Sequence, residues 1–377
     1  MVIKILYVAD TAPPKKDGVV RFMLETYKRL NSEKFEVSFL LPKIEGAEKI
    51  ARTMNLNVTF VPVRRFTVAT YPPAIPKSKI IKEVIENTDV VFINSIAPLG
   101  GSALTYANKI GKPVVEFVHS LEWEHFAYAT KFPDKYAKVL KPIVRRAYNK
   151  SNVLVVANKG IKNSLKTMKL TPKIEVTSLG VDQKKFCFDR IKRVYLRREL
   201  KLTNSFVIGY QGRLSREKNI KLLAETFDKI NQKIPNSKLI IVGDGLEKKY
   251  LKNPNILHIG FVDNPEDYLQ VMDMFVLPSM TETTALALME AMSTGLPCIA
   301  TNVGAIPSYL KHRFNGILLN KEKLDSTVLE YAILKLYKDA RLRKKLGDNA
   351  ANTIGTAYSW DKTTTHLENI FEEVLNK

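Results

Sequence analysis

Two carboxylates in the second half of the chain stand in unusually apolar surroundings. Glu282 and Glu290 flank residues 283–289, which are all small or apolar. A carboxylate in such company needs a charged or hydrogen-bonding partner. The apolar run at residues 274–277 predicts a buried parallel strand, which puts Glu282 in a strand-to-helix loop and Glu290 in the next helix. Because α/β sheets bind ligands at such loops, the pair predicts a ligand site.

Two cations, Arg213 and Lys218, lie five residues apart in a second loop, after the apolar run at residues 206–210. Arginine offers a planar fork of donors and lysine a point charge, so this loop could fold both around a diphosphate. Arg216, between them, is expected to be exposed. A solvated basic loop is the alternative interpretation of the segment taken alone.

The first half offers two further candidates. Gly18 opens a helix after the first strand, where free N–H groups suit an anion, although a glycine that only makes a turn has the same pattern. His119 ends the apolar run at residues 114–118 and should emerge at the carboxyl end of a strand, although a lone histidine is often structural. No metal site is expected, because metal-ligand spacing is lacking among the neighbouring Glu116, Glu122, Glu124 and His125.

Short apolar runs alternate with amphipathic helical stretches along the chain, which is the pattern of βαβ units and parallel sheets. The predicted strands are residues 3–8, 36–41, 58–63, 90–93, 114–118, 153–156, 174–178, 206–210, 238–242, 256–259, 274–277, 297–300 and 316–319. They predict an α/β protein of two doubly wound, Rossmann-like domains that face each other across a cleft. The expected domains are residues 1–188 and 189–358, with a final helix in residues 359–377 that packs back on the first.

Length and composition agree with this organisation. The 377 residues, 45% hydrophobic and 26% charged, exceed one comfortable core and favour two domains. The cysteines Cys187 and Cys298 lie far apart without ligand spacing, so a reducing cytosol is the expected compartment. No run reaches the roughly 18 apolar residues that a spanning helix needs.

The net charge of +21 is uneven: residues 1–185 carry +15 and residues 186–377 carry +6. Such a field favours anionic lipid or nucleic acid, although a lysine-rich composition would also produce it. The basic residues concentrate in a helical stretch at residues 131–150 and around the proline-rich residues 66–76. An ordinary surface helix remains the alternative for the first stretch. The residues expected at a face for acidic lipid headgroups are Arg64, Arg65, Lys77, Lys79, Lys135, Lys138 and Arg145.

Several motifs follow one another across most of the chain in an order typical of one enzyme family. They are Asp-Gly-Val-Val-Arg at 17–21, His119, Gly-Val-Asp at 180–182 with Phe186, Gly212-Arg213 with Lys218-Asn219, Val-Gly-Asp-Gly at 242–245, Pro278-Ser279, Glu282 with Glu290, and Gly-Leu-Pro at 295–297. The ordered set resembles the retaining GT-B glycosyltransferases of family 4.

The resemblance implies roles for the candidates of the second domain. Arg213 and Lys218 would neutralise the diphosphate of a UDP- or GDP-hexose donor. Glu290 would accept hydrogen bonds from ribose hydroxyls, and Glu282 would lie near the donor sugar. The donor-binding backbone would be supplied by Gly212, Thr284, Ala285 and Leu286.

The resemblance also assigns residues of the first domain. His119 would contact the donor sugar, and Gly18 would let the backbone close on the diphosphate. Neither His119 nor Glu282 is expected to be a covalent nucleophile, because the departing phosphate would assist proton removal during front-face attack. No cofactor and no metal are implied.

Two departures from the family pattern concern the donor loop. Ala285 stands where glycine is common, and alanine tolerates a positive φ less well. The frequent Gly-Gly-x-Pro-Glu element occurs here as Gly-Ala-Ile-Pro-Ser at residues 304–308. Donor identity is therefore harder to infer than activity.

The motif variants resemble those of enzymes that build glycoglycerolipids and related membrane glycolipids. The sequence thus predicts a metal-independent hexosyltransferase with a lipid-linked or polyol acceptor, peripheral on the cytoplasmic face of the cell membrane. A soluble saccharide acceptor is the alternative within the class, and a weakly active carbohydrate-binding relative is another. A nucleic-acid-binding protein would explain the charge but not the acid and cation loops, and no interleaved aromatic platform is present. The oligomeric state is left open.

Overall fold

The computed structural model describes residues 2–15, 17–67, 72–119, 121 and 133–376, without the side chains of residues 133–137. Within these residues the chain forms two compact units. The first unit runs to Leu179 and also takes in the chain from Trp360 onward, and the second unit is Gly180–Ser359. Each unit has its own parallel sheet, which confirms the predicted α/β class.

The first unit is built on a seven-stranded parallel sheet with the order β3-β2-β1-β4-β5-β6-β7. Its strands are β1 Ile3–Val8, β2 Phe35–Pro42, β3 Val58–Val61, β4 Val90–Ile93, β5 Val114–Val118, β6 Val153–Val156 and β7 Lys173–Val176. Its described helices are α1 Gly18–Tyr27, α2 Ala47–Thr53, α3 Ser78–Glu86, α4 Pro98–Lys109, α5 Pro133–Tyr148, α6 Lys159–Lys166 and, last in the chain, α14 Trp360–Leu375. Strands β4, β5 and β6 are buried along their whole length, as apolar runs covered on both faces must be.

The C-terminal helix α14 belongs to the core of the first unit. Trp360 is buried at its start and lies near the ring of Phe22 in α1. Further along, the Phe371 ring packs edge-on against the rings of Phe35 and Phe92. Aromatic pairs of this kind add to the stability that burial itself provides.

The second unit has a six-stranded parallel sheet with the order β10-β9-β8-β11-β12-β13. Its strands are β8 Phe206–Gln211, β9 Ser237–Val242, β10 Ile256–Gly260, β11 Met274–Leu277, β12 Cys298–Thr301 and β13 Ile317–Leu319. Its α-helices are α7 Arg190–Glu199, α8 Ile220–Lys233, α9 Pro265–Val271, α10 Leu286–Ser293, α11 Ile306–Tyr309, α12 Ser326–Lys338 and α13 Ala340–Ala357.

All thirteen described strands coincide with predicted ones, and their ends differ from the prediction by at most two residues. In each sheet the strand order reverses beside the unit's first strand, between β1 and β4 and between β8 and β11. At such a pair of strands, the loops that follow the carboxyl ends turn toward opposite faces of the sheet. Open α/β sheets bind ligands at this point.

Candidate functional site

Loops at the carboxyl edge of the second sheet carry most of the predicted donor residues. They follow β8, β9, β11 and β12, and the pair β8–β11 is the point where the strand order reverses. Backbone hydrogen bonds join these loops. Met280 N donates to Glu217 O (2.7 Å), and Ala305 N donates to Thr283 O (3.0 Å). The loops therefore form one structure rather than independent segments.

Glu290 is buried in the middle of α10, with 1% of its surface exposed. Its Oε2 accepts a hydrogen bond from Nε2 of Gln211, the last residue of β8, at 2.6 Å. A carboxylate only accepts, so Gln211 must turn its NH₂ group toward Glu290 and its carbonyl oxygen away. That oxygen is buried and has no hydrogen-bond partner among the described residues. A buried acceptor without a donor is costly, so Gln211 suits a ligand that brings a hydroxyl or N–H.

Gln211 is a site residue that sequence reasoning missed. An amide has no charge and no distinctive spacing, so nothing in its residue type singles it out. The available signal was positional, because Gln211 immediately precedes Gly212-Arg213 at the end of a predicted strand.

The second acid, Glu282, pairs with Lys218. Nζ of Lys218 lies 2.6 Å from Oε1 of Glu282, and the two side chains are 18% and 7% exposed. Ser279 Oγ donates to the same oxygen at 2.7 Å. Two donors, one of them charged, stabilise this nearly buried carboxylate.

Arg213 lies in the same loop but has a different environment. Its guanidinium is exposed and lies 3.9 Å from Oε1 of Glu217. The carbonyl oxygen of Arg213 accepts a hydrogen bond from the buried Tyr210 hydroxyl at 2.9 Å, which fixes the backbone. Arg216 is exposed on the short 3-10 turn that ends at Lys218. The structure thus brings Lys218 to Glu282 and leaves the Arg213 guanidinium at the surface of the loop.

Glycines allow the loops to approach more closely than side chains would permit. A Cβ atom at Gly243 would lie 2.0 Å from the carbonyl oxygen of Gly212, and one at Gly304 would lie 1.7 Å from that of Glu282. Real Cβ atoms do not come so close. The β9 loop can therefore support the Arg213 loop, and the β12 loop can support Glu282, only with glycine at these positions.

Ala285 adopts the left-handed conformation that the sequence made doubtful for alanine, with φ +58° and ψ +62°. This costs an L-residue roughly 1–2 kcal/mol. Ala285 caps the N-terminus of α10, and its carbonyl oxygen accepts from Met289 N at 3.2 Å. The Tyr309 hydroxyl donates to the carbonyl oxygen of Thr284 at 2.6 Å. These contacts hold the loop so that α10 begins at the sheet edge, with the N–H groups of Leu286 and Ala287 at its N-terminus.

In the first unit, His119 follows β5 and is held by Asn94, which follows β4. Its Nε2 lies 3.2 Å from Asn94 Oδ1, and Asn94 Nδ2 donates to the carbonyl oxygen of Phe92 at 3.3 Å. This network assigns the proton of a neutral imidazole to Nε2. The ring packs against Phe22 and Phe117, and burial lowers the pKa of His119 to about 3. The imidazole is therefore neutral at physiological pH and presents Nδ1 as an acceptor.

Gly18 begins α1, and the side chain of the preceding residue, Asp17, already binds N–H groups at that end of the helix. Asp17 Oδ1 accepts hydrogen bonds from the N–H groups of Val19 and Val20, both at 2.9 Å. A Cβ at Gly18 would have no atom within 4 Å, so the space around it is open. An anion at Gly18 would meet this open space but would share the helix N-terminus with a carboxylate.

The first unit also carries the predicted basic face. The described side chains of this set are all exposed: Arg64, Arg65, Lys77, Lys79, Lys138 and Arg145. Helix α5 has two apolar residues in solvent, Val139 and Ile143, each 61% exposed. Among the described apolar side chains of α5, Val144 and Tyr148 are buried. The side chain of Lys135, and residues 68–71 and 122–132 with Glu122, Glu124 and His125, lie outside the described part of the chain.

The described residues contain neither a cluster of metal ligands nor a helix that could span a membrane. No group of three or more His, Cys, Asp or Glu side chains there is arranged to hold a metal ion. No helix in this part of the chain has the length and apolar character required to cross a bilayer.

Comparisons with known proteins agree with the sequence motifs. The profile of the family described as glycosyl transferases group 1 matches residues 191–353, and that of glycosyltransferase family 4 matches residues 16–185. An Escherichia coli UDP-Gal:alpha-D-GlcNAc-diphosphoundecaprenol alpha-1,3-galactosyltransferase is 28% identical, over 97% of this chain and 96% of its own. The Bacillus anthracis N-acetyl-alpha-D-glucosaminyl L-malate synthase is 26% identical over 98% and 97%. The alpha-monoglucosyldiacylglycerol synthase of Acholeplasma laidlawii is 29% identical over 62% and 64%.

A solved structure supports the fold independently. The Anabaena protein Alr3699/HepE, in complex with UDP and glucose, superposes with a TM-score of 0.78 over 98% of this chain and 99% of its own. The sequences are 16% identical, so the likeness concerns the fold.

Proposed function

Because the chain belongs to the GT-B glycosyltransferases, with a family 4 domain followed by a group 1 domain, we propose that it transfers a hexose from a nucleotide sugar to a lipid-linked acceptor at an anionic membrane surface. The proposal extends to retention of the anomeric configuration and to catalysis without a metal ion. The observation that carries it concerns two acids, each with a hydrogen-bonding partner: Glu290 with Gln211, and Glu282 with Lys218. Both pairs lie where the strand order of the second sheet reverses.

The proposed donor site divides between these pairs. Glu290 and Gln211 together offer carboxylate and amide oxygens, which suit the hydroxyls of a ribose. Lys218 and Arg213 supply the positive charge that a departing diphosphate requires, a task that metal ions perform in other transferases. The first turn of α10 adds N–H groups for a phosphate or sugar oxygen.

The proposed reaction is a front-face displacement. The acceptor oxygen forms a bond to the anomeric carbon as the bond from that carbon to the phosphate oxygen breaks, and the acceptor proton passes to the departing diphosphate. Glu282 is engaged by Lys218 and Ser279, which suits a residue that orients the sugar better than one that attacks it. The neutral His119 suits a hydrogen bond to a sugar hydroxyl.

The proposed membrane contact is the basic face of the first unit. Val139 and Ile143 stand in solvent on α5 beside the exposed Lys138 and Arg145. Apolar side chains among cations are the composition of helices that lie in the headgroup region of an anionic bilayer. The exposed Phe66, next to Arg65, has the same character.

A soluble acceptor is the second candidate. It is favoured by the full-length similarity to a relative named as an N-acetyl-alpha-D-glucosaminyl L-malate synthase, at nearly the same identity as the relative named for a diphosphoundecaprenol substrate. The loops of the donor site do not distinguish these acceptors.

The test is sugar transfer from a panel of radiolabelled UDP- and GDP-hexoses to a lipid extract, or to a mixture of soluble saccharides and polyols. We expect label in the organic phase, α-linked product from the α-linked donors, and unchanged rates with a chelator present. Label only in soluble product would favour the second candidate. Inversion or complete inhibition by the chelator would contradict the proposed chemistry.

A further inference from the structure

Helix α7, Arg190–Glu199, turns three of its four apolar residues outward. Ile191, Val194 and Tyr195 are 84%, 56% and 62% exposed, and their spacing puts them on one face. Phe188, just before the helix, is also exposed. A surface helix ordinarily buries such a face against its domain. We call these four residues the outward face of α7.

The inner side of α7 is held mainly by arginines, beside Leu196, which packs against the core of the unit. Arg193 Nη1 donates to the carbonyl oxygens of Gln270 and Met272 at 2.7 and 2.6 Å. Arg193 and Arg197 both pair with Asp273, at 2.5 and 3.2 Å. The carbonyls lie at the C-terminal end of α9, where positive charge is favoured. These contacts fix α7 in the orientation that leaves its outward face in water.

The charges around the outward face are mainly positive. Lys184, Arg190 and Arg198 are exposed, whereas Glu199 is the one exposed acid on the helix itself. Asp189 accepts from Lys192 N and so serves as the helix cap. A second copy of this chain, docked on the same face, would place its own cations against these cations and be repelled. An anionic surface complements it, and aromatic residues such as Phe188 and Tyr195 suit the boundary between headgroups and acyl chains.

We infer that the outward face of α7 is a docking surface for an anionic lipid bilayer. Ile191, Val194 and Tyr195 enter the headgroup region, while Arg190 and Arg198 meet lipid phosphates. The inference deepens the proposed function, on whose membrane-bound acceptor it rests, by giving the second unit a lipid contact of its own. Contact with a bilayer also explains why these apolar residues are exposed rather than buried in the protein.

The test is flotation of the full chain with vesicles of phosphatidylglycerol and phosphatidylcholine. The variant Ile191→Ser/Tyr195→Ser is compared with Phe314→Ser/Tyr331→Ser, which removes two other exposed large apolar residues of the same unit. We expect the first variant to partition about tenfold less onto anionic vesicles and the second to behave as wild type. An environment-sensitive probe on Ile191→Cys should report an apolar surrounding when vesicles are added.

Equal partitioning of the two variants, or a probe that stays in water, would overturn the docking surface. So would a concentration-dependent dimer in lipid-free buffer that Ile191→Ser/Tyr195→Ser abolishes. Donor hydrolysis without lipid separates this inference from the proposed function: its absence in the wild type contradicts the transferase site, whereas retained hydrolysis with unchanged partitioning contradicts the docking surface alone.

Discussion

At the scale of single residues, the two buried acids of the proposed donor site have different partners. Glu282 is compensated by the cation Lys218, whereas Glu290 meets the neutral amide of Gln211. Lys218 neutralises an internal acid, and we propose that its charge also stabilises the departing phosphate.

Lys218→Ala should lower kcat for donor turnover by about 10²–10³, because it removes a charge that stabilises the departing diphosphate. The control is Lys221→Ala, three residues on, whose exposed side chain lies 3.7 Å from Glu225. Steady-state rates of nucleoside diphosphate release measure both. Equal rates in the two variants would remove Lys218 from the proposed mechanism.

Ala285→Gly should stabilise the second unit, because glycine adopts a positive φ without the strain of an alanine. The greater freedom of glycine in the unfolded chain offsets part of the gain, so we expect up to about 1 kcal/mol, or about 2–4 °C in Tm. Calorimetry of the full chain measures this change. A lower Tm for Ala285→Gly would contradict the view that this residue is strained.

The acids and the cation of the site were predictable because charge amid apolar residues is visible in a sequence. Gln211 was not, because a neutral amide becomes informative only when its carbonyl oxygen is found buried without a donor. The left-handed conformation of Ala285 was suggested only by the glycine common at that position, because alanine's own propensity argues against it. Packing from Tyr309 and the β12 loop overrides that propensity.

At the scale of elements, the strands were predictable because each is an apolar run between turn residues. The helices were harder to orient. In α7 the helical spacing is evident, but Arg193 and Arg197 face inward because carbonyl oxygens near residues 270–273 accept from them. Those acceptors lie more than 70 residues away in sequence. Helical periodicity alone would therefore place the three exposed apolar residues of α7 inside and these two arginines outside, which is the reverse of the structure.

Gly304→Ala should displace the Glu282 loop and reduce turnover by at least tenfold, because its Cβ would lie 1.7 Å from the Glu282 carbonyl oxygen. Gly295→Ala is the matched control. Gly295 also has a positive φ, +80° against +54°, but a Cβ there meets nothing within 4 Å. Thermal unfolding of both variants separates the shared backbone strain from the loop displacement. Comparable turnover in the two would contradict a supporting role for the β12 loop.

At the scale of the whole molecule, charge and exposed apolar surface occur together. The net charge of +21 is concentrated in residues 1–185, where α5 also exposes Val139 and Ile143. The fold class and the asymmetry of charge were available from the sequence. Which apolar residues of α5 remain in solvent was not, because the helical pattern does not reveal how wide a face its neighbours cover.

Val139→Ser/Ile143→Ser should weaken binding to anionic vesicles about tenfold, because two exposed apolar side chains no longer enter the headgroup region. Binding of the wild type should also fall as salt rises from 0.05 to about 0.5 M, because screening shortens the reach of the basic face. Sedimentation with vesicles at each salt concentration tests both effects. Salt-independent binding, or none to anionic vesicles, would contradict a membrane-docked enzyme.

We propose that the second unit binds a nucleotide sugar through Glu290. The most direct measurement is the rate of nucleoside diphosphate release from UDP- and GDP-hexoses by the wild type and by Glu290→Gln, which keeps the side chain's shape but removes its charge. Charge-assisted hydrogen bonds to the ribose account for about 1.5–3 kcal/mol each, so we expect kcat/KM to fall about 100-fold with at least one donor. Turnover of that donor by Glu290→Gln at the wild-type rate, or no turnover of any donor by the wild type, would contradict the claim.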